Sequence, residues 1–188
     1  MELDLVSNYV YRMHEAATQE KPLREIPVLA EAMANIRSSS GSIYICGNGG
    51  SAGNAVHLAN DLIYGAGVKN GGGLKVEALT ANTAVLTCLA NDTGYENIFS
   101  EQLKVKGNPS DLLIALSGSG NSPNIVKAIE VANSMQMQTF AILGYDGGKC
   151  KELAQHAIHF EVNDMQIAED LQLIVGHICM QWLCEQKL

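Results

Sequence analysis

The sequence contains no run of basic residues. Its 188 residues include 12 lysines and arginines against 20 aspartates and glutamates, which gives a formal net charge of −8. Proteins that bind nucleic acids in general, or anionic membrane surfaces, use clustered positive charge against phosphates. The charge balance therefore argues against both of these partners. It leaves a single phosphate ligand open, because main-chain amides and hydroxyl groups can hold such a group locally.

The cysteines show neither an even number nor a C-x-x-C pair. We interpret Cys46, Cys88, Cys150, Cys179 and Cys184 as reduced core thiols rather than as a disulfide framework. Residues 1–11 lack the basic start and the apolar run of a signal peptide, and no segment approaches the ~18 consecutive apolar residues of a membrane span. The sequence therefore predicts a cytoplasmic location.

The chain is expected to form one domain, since 47% of its 188 residues are apolar and can build one core. Residues 1–40 hold two predicted helices, at 3–19 and 26–38, and residues 41–188 hold the α/β part with a long last helix at 165–186. Five apolar runs alternate with helical stretches, which predicts parallel strands with right-handed helical crossovers. The predicted strands are residues 42–46, 75–79, 112–116, 139–143 and 157–162.

Two glycine-containing turns each follow a predicted strand and precede a predicted helix. Residues 47–51, the glycine loop, read Gly-Asn-Gly-Gly-Ser, and residues 117–122, the serine loop, read Ser-Gly-Ser-Gly-Asn-Ser. A helix start offers unpaired N–H groups and partial positive charge, and glycine lets the backbone approach an anion. Because both loops lie at the carboxyl ends of predicted strands, they predict a phosphorylated ligand at a switch point of the sheet.

Residues 51–64 predict a helix with two different faces. Small apolar residues on one face should pack on the sheet, whereas Asn54, His57, Asp61 and Tyr64 lie on the other face. His57 and Asp61 are four residues apart, so their side chains are neighbours. An imidazole and a carboxylate at this spacing can share a divalent metal such as zinc or form a surface hydrogen-bonded pair, and the spacing leaves both open.

The last predicted helix carries Glu169 and His177, eight residues apart. This spacing separates them by ~12 Å along a regular helix axis, so they cannot bind one ion from the same straight helix. If both join one site, either the helix start is irregular or two chains contribute. His177 can equally be a buried histidine, and the apolar stripe along this helix indicates core or a subunit interface.

Two further segments are rich in turn-forming residues. Residues 91–95 predict a turn, and a functional alternative is that Asp92 accepts hydrogen bonds from the hydroxyls of a sugar. Residues 65–73 are too rich in glycine for regular structure. They are either a flexible connection or a loop that orders over a ligand.

A dinucleotide site is a competing interpretation of the glycine loop, since residues 47–52 fit the pattern G-x-G-x-x-A. That pattern expects an acidic residue ~20 positions later, at the end of the next strand. Glu77 comes later and lies in the middle of its predicted strand, and a dinucleotide does not need the serine loop. A sugar phosphate is therefore the favoured ligand.

Several motifs together resemble the sugar isomerase (SIS) domain family, in its phosphoheptose isomerase branch. The motifs cover nearly the whole chain and are the two loops, His57-x-x-x-Asp61, Asn91-Asp92-x-Gly94-Tyr95, Asp146-Gly147-Gly148 and the helix around Glu169 and His177. The resemblance implies a five-stranded parallel flavodoxin-like sheet, with two N-terminal helices and a long C-terminal helix. It also implies a homotetramer whose active sites are shared between chains.

The resemblance further implies roles for individual residues. Asp61 would be the catalytic base and His177 the acid, and one zinc ion per active site would be held by His57, Asp61, Glu169 and His177. The residues implied to bind substrate are Asn48, Gly49, Gly50, Ser51, Asn91, Asp92, Ser117, Gly118, Ser119, Ser122 and Glu169, with the serine loop on the phosphate.

The chain departs from the family pattern at three places. Asp61 replaces the usual glutamate, Glu169 replaces the usual glutamine, and a segment with a substrate-contacting arginine is replaced by Tyr64-Gly65-Ala66-Gly67. The implied reaction is isomerisation of sedoheptulose 7-phosphate to D-glycero-D-manno-heptose 7-phosphate, for lipopolysaccharide or capsule. The rival hypothesis is a non-catalytic regulator of the same family that binds the replication initiator, and the joint retention of His57, Asp61 and His177 favours the enzyme.

Overall fold

The computed structural model describes residues 3–39, 41–67 and 72–186. These residues contain five strands: β1 (Ile43–Cys46), β2 (Val76–Ala78), β3 (Leu112–Ser117), β4 (Gln138–Leu143) and β5 (His156–His159). All pair in parallel in one sheet of order β2-β1-β3-β4-β5, which is the flavodoxin-like order. The predicted strands are confirmed; their ends move by one residue or not at all, except that β5 ends three residues early.

Eight α-helices accompany the sheet in the described residues. They are α1 (Leu3–Ala17), α2 (Glu20–Ser39), α3 (Gly50–Ile63), α4 (Thr83–Thr93), α5 (Ser100–Lys106), α6 (Pro123–Ser134), α7 (Gly148–Leu153) and α8 (Met165–Glu185), with short 3₁₀ turns at Gly65–Gly67 and Tyr95–Asn97. The two leading helices and the long last helix are confirmed. Helix α2 begins six residues earlier than predicted. Pro22 lies in its first turn, where no hydrogen bond is lost, and Pro27 lies inside the helix.

The sheet is buried on both faces, as its continuous apolar strands require. All residues of β1 and β3 are buried, and alternate side chains point to opposite sides. Ile43 and Ile45 pack in a core layer with α2, α3 and α8, whereas Tyr44 and Cys46 pack in a second layer with α5 and α6. In the described part of the chain, no helix is long and apolar enough to span a membrane.

The strand order creates a crevice between β1 and β3. The chain leaves β1 toward β2 on one side and leaves β3 toward β4 on the other, so the connections diverge at the carboxyl ends of these adjacent strands. The glycine loop follows β1 and the serine loop follows β3. Both loops therefore lie at the switch point, as the sequence predicts.

The predicted turn at residues 91–95 is corrected by the structure. Asn91 and Asp92 belong to α4, which is capped by the Asn82 side chain and continues to Thr93. The helix ends at Gly94, whose φ of 96° suits glycine. The Asn82 cap and the end at Gly94, both local features, have thus outweighed the turn preference of Asn and Asp.

Two other predictions are corrected in part. Gly65–Gly67 forms a 3₁₀ turn within the segment predicted to be irregular, and residues 68–71 of that segment lie outside the described residues. Cys46, Cys150 and Cys179 are buried free thiols, but Cys88 is exposed and Cys184 is half-buried. Burial raises the pKa of Cys150 and of Cys179 to about 12, which suits unreactive core thiols.

Candidate active site

Helix α3 presents His57 and Asp61 on its polar face, one turn apart. Ala55, Ala59 and Leu62 are buried toward the sheet, whereas His57 is exposed and Asp61 is half-buried. The predicted division of this helix into two faces is therefore confirmed. The Nε2 atom of His57 lies 3.4 Å from the Oδ2 atom of Asp61.

His177 from α8 completes a three-residue cluster. Its Nε2 atom lies 3.4 Å from Asp61 Oδ2 and 2.9 Å from His57 Nε2. The two imidazole rings meet edge to face, at an interplanar angle of 80°. Three potential ligand atoms of one chain thus converge on one point, within 4.8 Å of one another.

A glycine in α8 makes this convergence possible. A Cβ atom on Gly176 would overlap the buried Leu58 side chain of α3, so the two helices pack closely at this glycine. His177 is the next residue after Gly176, and His57 is the neighbour of Leu58. The close contact between helices therefore holds the two histidines together.

The donor atoms of the cluster suit zinc. Zinc takes imidazole nitrogen and carboxylate oxygen at ~2.0–2.2 Å, which places two ligands of a tetrahedral ion ~3.3 Å apart. The measured separations of 2.9 Å, 3.4 Å and 3.4 Å are close to this value. Three protein ligands also leave a fourth position for a water or substrate oxygen, as in catalytic zinc sites.

The side chain of Glu169 lies away from the cluster, although Glu169 is on the same helix as His177. Its carboxylate packs against Gly50, where a Cβ atom would overlap it, at the start of α3. Helix α8 is continuous from Met165 to Glu185, so the eight residues between Glu169 and His177 keep them ~12 Å apart along its axis. One chain thus brings three of the four predicted metal ligands together, and not Glu169.

Ser51 faces inward rather than toward the crevice. Its Oγ accepts a hydrogen bond of 3.0 Å from Gln172 Nε2, and the Gln172 oxygen accepts one from Asn54. Asn54 also donates to the main-chain oxygen of Glu169. These bonds tie the first turns of α3 to α8. Because the Ser51 hydroxyl takes part in them, only the main chain of Ser51 is left for the predicted contact with a ligand.

The serine loop is arranged differently. Ser117 Oγ is buried and accepts from the Gly120 N–H at 3.0 Å, which makes Ser117 a structural part of the loop. Ser119 is half-buried, and Ser122 stands at the start of α6 without capping it. Gly118 is tightly enclosed, because a Cβ atom there would overlap Met165 of α8. The Ser119 and Ser122 hydroxyls are therefore the side-chain donors that this loop can offer.

An amide pair joins the two loops. Asn48 of the glycine loop and Asn124 in the first turn of α6 exchange two hydrogen bonds of 2.8 Å. Tyr95 donates a third bond, of 3.0 Å, to the oxygen of Asn48. The sequence interpretation missed Asn124, Gln172 and Gly176, since their partners are 76, 121 and 118 residues away along the chain.

Asn91 and Asp92 bond to each other and to their own helix. Asn91 Nδ2 donates to Asp92 Oδ1 at 2.7 Å, and the Cys88 thiol lies 3.5 Å from Asp92 Oδ2. The hydrogen bond to Asp92 raises the pKa of the Cys88 thiol, and the negative charge of Asp92 raises it further. Within residues 91–95, the Tyr95 side chain contacts the glycine loop, through its hydrogen bond to Asn48.

A cavity of about 660 Å³ opens on the other side of the serine loop, at the ends of β4 and β5. It contains no member of the His57–Asp61–His177 cluster, so the open space beside Ser119 and the cluster are separate regions of one chain. The residues that line it are Ser119, Asn121, Tyr145, Asp146, Lys151, His159, Glu161 and Asn163.

The first turn of α8 is stabilised by a capping aspartate that also forms an ion pair. Asp164 caps the helix through the N–H groups of Gln166 and Ile167, and it pairs with Arg12 of α1 at 2.7 Å. The Arg12 guanidinium holds the pKa of Asp164 below its usual value. A hydrogen bond from Tyr9 to Asp170 raises the pKa of Tyr9 to about 12.

Comparison with known proteins identifies the family. Residues 8–144 match the SIS domain. The phosphoheptose isomerase of Akkermansia muciniphila is 40% identical over 164 residues, which cover 87% of this chain and 86% of that protein. The corresponding values for the phosphoheptose isomerase of Helicobacter pylori strain P12 are 39% identity over 160 residues, with 85% and 81% covered.

Solved structures agree with the sequence relatives. The phosphoheptose isomerase from Neisseria gonorrhoeae has a TM-score of 0.87 at 27% identity, covering 96% of this chain and 97% of that one. The phosphoheptose isomerase from Francisella tularensis also has a TM-score of 0.87, at 25% identity, with 99% and 100% covered. By sequence over most of its length and by its fold, the chain belongs to the SIS domain family, in the phosphoheptose isomerase branch.

Proposed function

We propose that the chain is a phosphosugar isomerase that converts sedoheptulose 7-phosphate to D-glycero-D-manno-heptose 7-phosphate. The observation that carries the proposal is the His57–Asp61–His177 cluster, in which a carboxylate faces two imidazoles. An aldose–ketose isomerisation moves protons between neighbouring atoms, and this is the chemistry that a positioned carboxylate and histidine supply. The named relatives support the substrate class.

The proposed proton transfers balance with the groups present. Asp61 takes the proton from C1 of the ketose, and the C–H electron pair becomes the C1–C2 double bond of an enediol. His177, protonated and not bound to a metal, gives a proton to the oxygen on C2. In the second half of the reaction, His177 takes the proton from O1 and the C1 carbonyl forms. Asp61 then delivers its proton to C2.

His57, Asp61 and His177 are the proposed zinc ligands of one chain, since their donor atoms and separations fit the ion. When bound, zinc supplies polarisation of the substrate carbonyl and stabilisation of negative charge on the enediolate oxygens. The prediction that Glu169 is a further ligand from a second chain stands as part of this proposal. The serine loop orients the substrate through its phosphate, with Ser119 and Ser122 as donors.

The test is turnover of sedoheptulose 7-phosphate by protein purified without chelator. We expect activity, and we expect Asp61→Asn and His177→Ala to lower kcat by a factor of about 10²–10⁴, the usual contribution of a general acid or base. Glu185→Gln, an exposed change on the same helix as His177, is the control. No turnover of any ketose phosphate by the wild type, or full activity of both variants, would contradict the proposal. Metal analysis accompanies the assay, and full activity after exhaustive chelation would remove zinc from it.

A homotetramer with shared active sites belongs to the same proposal. Met165, which contacts Gly118 of the serine loop, precedes His177 by twelve residues, a rise of ~18 Å along α8. An extended seven-carbon phosphate is only ~10 Å long, counting ~1.3 Å per bond along the chain. This difference supports a site in which one copy supplies the serine loop and another supplies the cluster.

Exposed apolar side chains on the two helices that carry the cluster, and on α1, support such a contact between copies. Val56 and Ile63 on α3 and Ile178 on α8 are 44%, 51% and 43% exposed, and Leu3 and Leu5 on α1 are more exposed still. Where such side chains adjoin one another, they are typical of an interface between proteins. Sedimentation at micromolar concentration should give four times the mass of one chain, and a stable monomer with full activity would contradict shared sites.

A further inference from the structure

A negatively charged side chain of the same chain lies against the glycine loop. The carboxylate of Glu169 packs on Gly50, at the first residue of α3, where a Cβ atom would overlap both of its oxygens. Gly49, which precedes it, makes no side-chain cap for α3 and has a φ of 55°. The start of a helix after a glycine turn ordinarily attracts an anion, and here a carboxylate already stands beside it.

The contacts of α8 with α3 keep that carboxylate in place. Asn54 on α3 donates to the main-chain oxygen of Glu169, and Gln172, one turn later, bonds to both Asn54 and Ser51. Gln172 and Ser51 are buried. Glu169 is thus attached to the glycine loop by a network that leaves its main chain little freedom.

The same turn of α8 also touches the serine loop. Met165 packs against Gly118, and Ala168 packs against both Gly118 and Gly144. Residues 165–169 therefore form a short wall between the two loops, with apolar side chains on the serine loop and a carboxylate on the glycine loop. The amide pair between Asn48 and Asn124 holds the loops at this spacing.

We propose that Glu169, when no metal is bound to it, is a specificity residue that excludes a second anionic group from the glycine loop, so that the metal-free site binds sugar monophosphates in preference to bisphosphates. This inference rests on the proposed function, because it assumes that the first phosphate occupies the serine loop. A phosphate or carboxylate at the opposite end of the sugar would then meet the Glu169 charge. The repulsion acts on bisphosphates and on phosphorylated sugar acids, and it spares neutral hydroxyl and carbonyl groups.

The experiment compares the affinities of sedoheptulose 7-phosphate and sedoheptulose 1,7-bisphosphate by calorimetry. The full-length protein is freed of metal beforehand, so that chelation by the bisphosphate and loss of a metal ligand do not enter. We expect the wild type to bind the monophosphate more tightly. Glu169→Gln keeps the shape of the side chain and removes its charge, and it should shift the affinity ratio toward the bisphosphate on the order of tenfold.

Two further variants serve as controls for this experiment. Glu169→Ala should shift the ratio in the same direction, which separates the charge from any packing effect of the glutamine. Glu185→Gln changes the net charge equally at the far end of the same helix, ~24 Å away along the axis, and should leave the ratio unchanged.

The outcomes separate this inference from the function on which it rests. A wild type that prefers the bisphosphate, or Glu169 variants that retain the wild-type ratio, would overturn the inference while leaving monophosphate binding intact. A wild type that binds neither sugar would overturn the proposed function and the inference together.

Discussion

The glycine loop and the serine loop have similar local sequences but different surroundings. In the glycine loop, the Ser51 hydroxyl is bound inward to Gln172, Asn48 is paired with Asn124, and Glu169 covers Gly50. In the serine loop, Ser117 is bound inward, whereas Ser119 is half-buried next to a cavity and Ser122 leaves α6 uncapped. Both loops start a helix at the switch point, yet only the second keeps side-chain hydroxyls for an anion.

This difference shows that a glycine turn before a helix is not sufficient for phosphate binding. What decides is whether other elements already occupy the groups that the turn presents. Helix α8 decides it here, since its first turns bind the glycine loop through polar side chains and touch the serine loop through the apolar side chains of Met165 and Ala168.

The largest effect is expected where hydroxyls are removed from the serine loop. The double change Ser119→Ala and Ser122→Ala removes two donors to the phosphate, each worth about 1.5–3 kcal/mol for a charged acceptor. We therefore expect the affinity for sedoheptulose 7-phosphate to fall by a factor of about 100 or more, with the melting temperature nearly unchanged. Calorimetric titration measures the affinity, and Ser134→Ala at the exposed end of α6 is the control. Unchanged affinity would remove the distinction between the loops.

A smaller effect is expected from Gly176→Ala. This change tests whether the position of α3, the helix that follows the glycine loop, depends on its packing against α8. The added methyl group overlaps Leu58, and overpacking of this kind costs about 1–3 kcal/mol. We expect lower stability to urea together with lower kcat, because α3 moves His57 and Asp61 away from His177. Gly53→Ala on α3 is the matched control, since its Cβ atom meets nothing within 4 Å. Equal stability of the two variants would mean that the close helix contact is not required.

The smallest of the three effects is expected from Ser51→Ala. The change leaves the buried Gln172 Nε2 group without its acceptor and should cost about 1–2 kcal/mol of unfolding free energy. The affinity for sedoheptulose 7-phosphate should change less than about twofold, or 0.4 kcal/mol, because the hydroxyl does not face the ligand. Denaturant unfolding and titration of the same sample measure both quantities, and Ser38→Ala on the exposed side of α2 is the control. A large loss of affinity with unchanged stability would show that Ser51 behaves like the serine loop.

Much of the fold could be predicted because its signals are local. Each buried strand is a continuous apolar run, and each run alternates with a helical stretch, so the parallel sheet follows from the order of the elements. The turn predicted at residues 91–95 was wrong because the local helix signals, the cap at Asn82 and the end at Gly94, outweigh the turn preference of the residues between them. Asn91 and Asp92 favour turns by themselves, but α4 continues through them to Gly94.

The sequence by itself determined the parallel α/β sheet, the position of both loops at the carboxyl ends of its strands, and the one-turn spacing of His57 and Asp61, because these depend on periodicity and short spacing. The flavodoxin-like form of the sheet was implied by the family resemblance. Only the tertiary structure decided that His177 joins that pair from one chain while Glu169 lies on Gly50. The physical reason is the close packing of α8 on α3 at Gly176. It brings together residues more than a hundred positions apart, and no spacing along the chain records such a contact.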